Sequence, residues 1–516
     1  MSTSLPQQLE RAARLSGGRA SVFTRDAEWT WAQVRDRVAT LAGALQGEGL
    51  LAGDRVAILS SNSVDYLALY YAIPWAGGIS LPVNARFNAE EIAFLLRDAD
   101  VRFVVVDAAH YEVATQAVAH ADVSTSIVSF DAACPGCLDL AARPKIAAAS
   151  PAGDSPATIF YTGGTTGAPK GVPLTHAGLV FASMQWAQTM AIRHDERVLI
   201  AIPMFHLAAG LNAIASAVLA CDLVIEPHFV PAETLAVIES RRVSKAAFVP
   251  AVLDMMISAP EFASADISSL TKVSYGGAPM PLPILERAIA GMPQTAFYQI
   301  YGQTESGGVA TCLGPEFHVL SGPQTGKQTT AGRPVVGTDL RLCDDKGQDV
   351  PQGQPGEICL RSPALTPGYW NAPEKTAELF FDDWLRTGDV GVQDADGFVT
   401  IVDRIKDMII SGGENVFAGE VEAAIYLLPA ILECAVIGVP DDKWGERVHA
   451  VVRLAPEGEL DADTLMQHTR EHLADYKAVR SVEFVTDPLP RSPMNKVLKR
   501  IVREQSNANV QLKGTA

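Results

Sequence analysis

Residues Tyr161-Thr-Gly-Gly-Thr-Thr-Gly-Ala-Pro-Lys-Gly171 gather four glycines, three threonines and a lysine in one short run. Glycine lets the backbone approach a ligand closely and take positive φ. Exposed N–H groups, threonine hydroxyls and the Lys170 ammonium together make a cradle for an anion. The run begins at the end of an apolar strand candidate, Thr158–Tyr161. The Walker A pattern needs a glycine, then lysine, then serine or threonine. Here Ala168-Pro169 precede Lys170 and Gly171 follows it, so an ordinary P-loop is excluded. A phosphate-gripping loop of another kind is expected; the plain alternative is a Gly/Thr-rich surface loop.

Five further segments combine polar groups with glycine or a lone lysine. They are Tyr275-Gly-Gly-Ala278, Tyr301-Gly-Gln-Thr-Glu305, Thr387-Gly-Asp389, the stretch from Asp403 to Asn415, and Pro490-Arg-Ser-Pro-Met-Asn-Lys496. With the glycine loop, and in this order, they resemble the motifs of the adenylate-forming superfamily: acyl- and aryl-CoA ligases, peptide-synthetase adenylation domains and luciferases. The resemblance spans residues 161 to 496. It implies an acid–CoA ligase. ATP would convert a carboxylic acid to acyl-AMP with release of pyrophosphate, and the acyl group would pass to CoA, leaving AMP.

A carboxylate attacking the α-phosphorus of ATP brings two anions together, so the site must gather positive charge and hold both in line. The resemblance implies that Thr165, Thr166 and Lys170 hold the β- and γ-phosphates, with Thr162, Gly163, Gly164 and Gly167 also in the ATP-binding loop. Gly276, Gly277, Ala278, Tyr301, Gly302 and Gln303 would flank the nucleotide, and Thr304 would donate to the α-phosphate. Glu305 would coordinate Mg²⁺, a hard cation that takes oxygen ligands. Asp389 would accept both ribose hydroxyls, with Ile401 and Arg404 beside it. Lys496 would bridge the attacking carboxylate and the α-phosphate. Two departures from the family pattern stand out. Gly163 replaces the usual serine, removing one hydroxyl from the phosphate cradle. Asn495 replaces the usual glycine before the lysine, and asparagine tolerates left-handed backbone better than most residues. Lys499, with Arg500, fits the basic tail that follows the catalytic lysine, so Lys496 keeps the role.

The two half-reactions imply two geometries, with a C-terminal domain turning about a hinge at Asp403. One arrangement would insert Lys496. The other would insert Ser411, Gly412, Gly413 and Glu414 beside a tunnel for the pantetheine arm, where glycine leaves room. Trp444 resembles an aromatic on which some CoA ligases stack the CoA adenine. The acyl pocket would draw on His206, Ala209, Gly210, Gly276 and Gly308, with His206 also acting as a gate near the carboxylate. These stretches are small and apolar, which favours an aromatic or medium-chain aliphatic acid, with long fatty acids left open should a tunnel run between the helices. No acidic residue lies between Phe205 and Asn212 to pair an ammonium. An α-amino acid is therefore disfavoured, because a buried unpaired charge is costly. The alternative is a stand-alone acyl-adenylating enzyme that loads a carrier protein. A luciferase-like oxidation and an inactive nucleotide-binding protein are further readings.

The elements that must position these groups follow from the pattern of apolar residues. Val56–Leu59, Phe103–Val106, Thr158–Tyr161, Val198–Ile202, Leu223–Ile225, Ala246–Val249, Val273–Tyr275 and Ala296–Ile300 read as short strands. Residues from Thr30 to Gln46, Tyr66 to Ile73 and Ala89 to Leu96 read as helices between some of them. This rhythm predicts an α/β fold with parallel-rich sheets and flanking helices. Past residue 330 frequent Gly and Pro, with strands at Asp339–Leu342 and Glu357–Leu360, predict a small β-rich subdomain. After Asp403 strands at Met408–Ile410, Cys434–Val439 and Val448–Arg453 and helices at Gly419–Leu428 and Ala462–Ala474 predict a smaller, mobile α+β domain. The expected domains are thus 1–402 and 403–516.

The 516 residues are too many for one core. Apolar residues make up 48% and charged residues 19%, as in globular proteins. A net charge of −18 argues against nucleic acid or anionic lipid as a partner. No run of 18 apolar residues offers a membrane span, and Met1 to Gly18 lacks the apolar core of a signal peptide. Seven irregularly spaced cysteines point to a reducing, cytoplasmic setting. The Cys134/Cys137 pair lacks the second ligand pair of a zinc site. The partners expected are a carboxylic acid, ATP and CoA, with a homodimer left open.

Overall fold

Apolar runs between residues 20 and 301 pair mostly as parallel strands. The computed structural model describes residues 4–138, 140, 143–163, 169–441, 443–456, 458–491 and 497–513, the side chains of 507–513 excepted. By contact the chain divides into two units. One takes residues up to 163, 169–340 and 360–385; the other takes 341–359 and the chain from 386 onward.

The first unit holds two sheets. A nine-stranded sheet has a parallel centre ordered Ala296–Tyr301, Lys272–Gly276, Lys245–Phe248, Arg197–Ile200, Asp222–Ile225 and Ala20–Phe23, with antiparallel strands at both edges. A six-stranded sheet orders Ser126–Ser129, Val101–Val106, Arg55–Leu59, Ile79–Pro82, Pro156–Thr162 and Lys170–Thr175; all pairs are parallel except the last. Strands covered on both faces read as unbroken apolar runs, which is why the sequence revealed most of them. One hydrophobic cluster joins residues of both sheets, such as Ile58, Phe160, Val198 and Ile225, with the helices Val64–Trp75 and Leu207–Leu219. Both helices are buried nearly all round, and the Tyr71 hydroxyl ties them by donating to Ile214 O at 2.9 Å. The helix expected from Thr30 runs Trp31–Gly47, with Thr30 and Gln33 forming a reciprocal capping box.

The strands expected at 198–202 and 246–249 end earlier, at Ile200 and Phe248. Val249 instead precedes the helix Pro250–Ile257, whose first residue is a proline suited to a helix start. Beyond residue 404 the expected order is found among the described residues, with three additions: strands Glu414–Val416 and Ser481–Phe484 and the helix Lys499–Lys513. Each of these added strands is short and half polar, too weak to declare a period of two. The sheet of this unit orders Glu414–Val416, Ile409–Ser411, Gly445–Leu454 and Ile431–Asp441, with Ser481–Phe484 parallel to Gly445–Leu454.

One buried cation sits apart from the nucleotide motifs. Lys245 is fully buried at the start of its strand. Its Nζ lies 3.1 Å from Asn212 Oδ1, 3.4 Å from Ser274 Oγ and 4.4 Å from the Trp186 ring centre. Burial pushes its pKa down from the usual 10.5 to about 7. The unfolded chain therefore holds a proton that the folded chain releases between about pH 7 and 10.5, and stability rises with pH across that window. Below pH 7 the full cost of burying the charge applies. Lys245→Met is expected to raise the melting temperature. The gain should be larger at pH 6 than at pH 9, by at least about 1 kcal/mol in unfolding free energy.

Candidate active site

The phosphate-loop run is the connection of a β-hairpin. Pro156–Thr162 and Lys170–Thr175 pair antiparallel, with Tyr161 opposite Gly171 and Thr162 opposite Lys170. Lys170 is thereby fixed at the base of the loop. Gly164, Thr165, Thr166 and Gly167 lie outside the described residues. Gly171 packs closely: a Cβ there would stand 3.0 Å from Trp370 Cβ and 3.1 Å from the Tyr161 ring.

Parallel pairing brings the carboxyl ends of three strands side by side, with Phe248 opposite Tyr275 and Gly276 opposite Ile300. Crevices outside such strand ends are the usual ligand sites of open α/β sheets. Gly276 is required by close approach, since a Cβ would fall 2.2 Å from Ile300 O. Gly277 follows at φ +76°. After Tyr301, Gly302 nests against the Gly308 carbonyl, and Thr304–Ser306 forms a single 3₁₀ turn. Glu305 in that turn is only 7% exposed. The Tyr369 hydroxyl donates to its Oε1 at 3.1 Å, and Thr366 N–H donates to its main-chain oxygen at 2.9 Å. Burial, the charge of Glu305 and this hydrogen bond push the Tyr369 pKa far above its usual value, so the hydroxyl stays a donor.

His206 stands at the N-terminus of Leu207–Leu219, its ring 4.4 Å from that of Phe205 and its carbonyl accepting from Gly210 N–H. A Cβ on Gly308 would meet Leu207 and Leu211 at 3.3–3.4 Å, so the 302–308 loop lies on the first turns of this helix. His206 and Gly308 are thus brought to one place. Ala209 is buried, and the Cβ direction of Gly210 points at the Tyr70 hydroxyl and Phe160, deep in the core.

In the second unit Asp389 pairs with Arg404 across an antiparallel ladder, and Arg404 Nε meets Asp389 Oδ1 at 2.8 Å. Asp389 is 4% exposed, and its N–H donates to Thr387 Oγ1, which donates in turn to Ile358 O. Ile401, on the same ladder, is exposed. Asp403 Oδ1 accepts from Arg404 N–H at 2.7 Å and Oδ2 from Gly419 N–H at 3.1 Å, at the start of helix Ala418–Ile425. Ser411 and Glu414 close a two-residue hairpin whose central Gly412 and Gly413 both take positive φ, +63° and +84°. Such turns demand residues that tolerate that conformation. Gly412 N–H donates to Trp444 O at 2.7 Å, so the hairpin and Trp444 are neighbours. The Trp444 ring carries the Arg480 guanidinium at 4.7 Å and the Lys443 ammonium at 4.8 Å. Arg491 and Val497 form an antiparallel bridge. Lys496, between them, lies outside the described residues. Lys499 is held by Glu422 at 2.8 Å, in keeping with a structural place for it.

Thr366 and Tyr369 were missed by sequence reasoning. Their segment, Thr366-Pro-Gly-Tyr-Trp370, read only as Gly/Pro-rich texture, although two adjacent aromatics in such a stretch were a usable signal.

The chain belongs to the family of AMP-binding enzymes, whose model matches residues 9–370, while the model of the AMP-binding enzyme C-terminal domain matches 420–496. Within the adenylate-forming superfamily its relatives include AMP-forming acyl-CoA synthetases and a fatty acid–[acyl-carrier-protein] ligase of Streptomyces coeruleorubidus, 34% identical over 92% of this chain and 91% of that one. It is 38% identical to the long-chain-fatty-acid–CoA ligase FadD13 of Mycobacterium tuberculosis over 94% of each chain. It is 37% identical to a feruloyl-CoA synthase of Amycolatopsis sp over 96% of this chain and 97% of that one. The solved structure of a Mycobacterium tuberculosis fatty acyl CoA synthetase superposes with a TM-score of 0.80 at 34% identity, covering 98% of this chain and 99% of the other.

Proposed function

We propose that the protein activates an apolar carboxylic acid with ATP and transfers the acyl group to CoA. The observation that carries this reading is the buried Glu305 turn, joined through Tyr369 to Lys170 at the base of the phosphate hairpin. A carboxylate and an ammonium held on one tyrosine support a site that takes a polyphosphate and its cation.

Lys170 and the hairpin loop bind the β- and γ-phosphates, and Thr304 holds the α-phosphate. Asp389 accepts the ribose hydroxyls, and its pairing with Arg404 holds the carboxylate in place. Among the described residues no group of three or more His, Cys, Asp or Glu stands together. One buried carboxylate fits Mg²⁺, which dehydrates reluctantly and takes most ligands from phosphates and water. When bound, Mg²⁺ offsets phosphate charge. Lys496 stabilises the charge that grows between the attacking carboxylate and the α-phosphate. Asp403 is the hinge: its carboxylate ties the strand end to the next helix with two hydrogen bonds. Turning there replaces Lys496 by the Ser411–Glu414 hairpin for thioester formation, with the CoA nucleotide near Trp444.

The acid lies beside His206, Gly276 and Gly308. Asp254, half-buried, is paired with Arg287 and so offers no unpaired charge to the acid. Pyrophosphate release across acids of graded length and aromaticity, with and without CoA, tests the reading. Apolar acids should give acyl-AMP alone and acyl-CoA when CoA is added. Transfer to a carrier protein but never to CoA would favour the carrier-loading alternative. Release only with short polar acids would overturn the substrate class.

A further inference from the structure

The segment Ala364–Asn371 holds both the outgoing strand of the phosphate hairpin and the turn that carries Glu305. Thr366 Oγ1 donates to Pro173 O at 2.8 Å and Thr366 N–H to Glu305 O at 2.9 Å. Trp370 N–H donates to Gly171 O at 2.8 Å, and Asn371 Nδ2 to Asp98 O at 2.8 Å. The Tyr161 hydroxyl, from the strand that leads into the loop, donates to the carboxylate of the same Asp98. Gly307 lies so close to the segment that a Cβ would stand 2.6 Å from Ala364 O.

One side chain does more than anchor. Tyr369 holds Glu305 with its hydroxyl at 3.1 Å and Lys170 with its ring face, the Nζ 4.5 Å from the ring centre. The Tyr369 N–H is fixed by Thr376 Oγ1 at 2.9 Å, and a Cβ at Gly368 would strike the Thr376 side chain, so the backbone here has little freedom. A lysine and a glutamate left to themselves beside an empty phosphate site would pair. Each would then have to be pulled off the other before meeting phosphate or cation. An ammonium on a ring face keeps N–H donors free, and a carboxylate accepting one hydroxyl keeps its second oxygen free.

We infer that Tyr369 is a positioning residue, which holds Lys170 and Glu305 apart and aimed at the triphosphate and its divalent cation. This rests on the proposed function, since it assigns both partners to the ATP site. The aromatic ring and the hydroxyl carry separable parts of the role.

Tyr369→Phe keeps the ring and loses the hydroxyl. In acid-dependent ATP–pyrophosphate exchange its half-saturating Mg²⁺ should rise about tenfold, the worth of one hydrogen bond to a charged group, with the rate at saturating Mg²⁺ nearly unchanged. Tyr369→Leu loses both contacts and should add a rise of several-fold to about tenfold in KM for ATP. Thioester formation from supplied acyl-AMP needs neither the γ-phosphate nor its cation, and should match the unaltered enzyme in both variants. A Mg²⁺ dependence unchanged in Tyr369→Phe would overturn the inference, as would equal loss of both half-reactions in that variant. If the unaltered enzyme shows no exchange with any acid, the proposed function fails on its own. The inference is then decided by calorimetry: Tyr369→Phe should weaken binding of Mg·ATP but not of ATP in EDTA, and equal weakening of both would refute it.

Discussion

Lys496→Ala should abolish acid-dependent ATP–pyrophosphate exchange while leaving thioester formation from supplied acyl-AMP close to normal. The first half-reaction drives an anionic carboxylate onto an anionic phosphate, and negative charge moves from the attacking oxygen to the α-phosphate oxygens and the departing pyrophosphate. Removing one group aimed at such charge costs about 10²–10³ in rate, and more where no neighbour substitutes. Lys499 is poorly placed to substitute, because it starts a helix and is engaged by Glu422 at 2.8 Å. The second half-reaction breaks a mixed anhydride with a thiol and places no comparable demand on that ammonium. Exchange retained in Lys496→Ala would remove the role assigned to the residue. A protein inactive in both steps but normally folded would show that Lys496 also serves thioester formation, against the split assigned here.

Gly413→Leu should give the opposite split, with exchange near normal and thioester formation from acyl-AMP down by about 10²-fold. A blocked or displaced reactant costs this much. The position suits the test because nothing lies within 4 Å of where a Cβ would be, so the side chain fits the folded unit. The φ of +84° makes leucine strained there, by about 1–2 kcal/mol, which a domain of this size tolerates. Gly412→Leu is the harsher companion: its Cβ would press on Trp444 at 3.0 Å, and it should lower thermal stability as well as thioester formation. Equal damage to both half-reactions by Gly413→Leu, at unchanged stability, would count against the hairpin as the channel wall.

Much of this was legible in the sequence because the α/β core writes itself in apolar runs. Leu223–Ile225 and Val273–Tyr275 are buried on both faces, so the strand and its covering leave one signal. The glycines were legible for a different reason. Gly276 is forced by the Ile300 carbonyl 2.2 Å from any Cβ, and Gly412 and Gly413 by positive φ. The contacts that join motifs were not legible. Tyr369 lies more than sixty residues from Glu305 and almost two hundred from Lys170, and only folding brings its ring and hydroxyl to them. Strand Ser481–Phe484 escaped notice because its register is set by its neighbour: His449 lies opposite Ser481 and Val452 opposite Phe484. Lys245 gave no sign either. A lysine before two alanines is an ordinary surface pattern, and its burial follows from Trp186, Asn212 and Ser274 on three other elements.

The passage of a carboxylate oxygen into AMP tests the central claim most directly. An apolar acid labelled with ¹⁸O in its carboxyl group is turned over with ATP and CoA, and the AMP is weighed by mass spectrometry. Attack on the α-phosphorus followed by acyl transfer leaves one labelled oxygen on the AMP phosphate. Unlabelled AMP, or label found in inorganic phosphate beside ADP, would contradict the adenylate route.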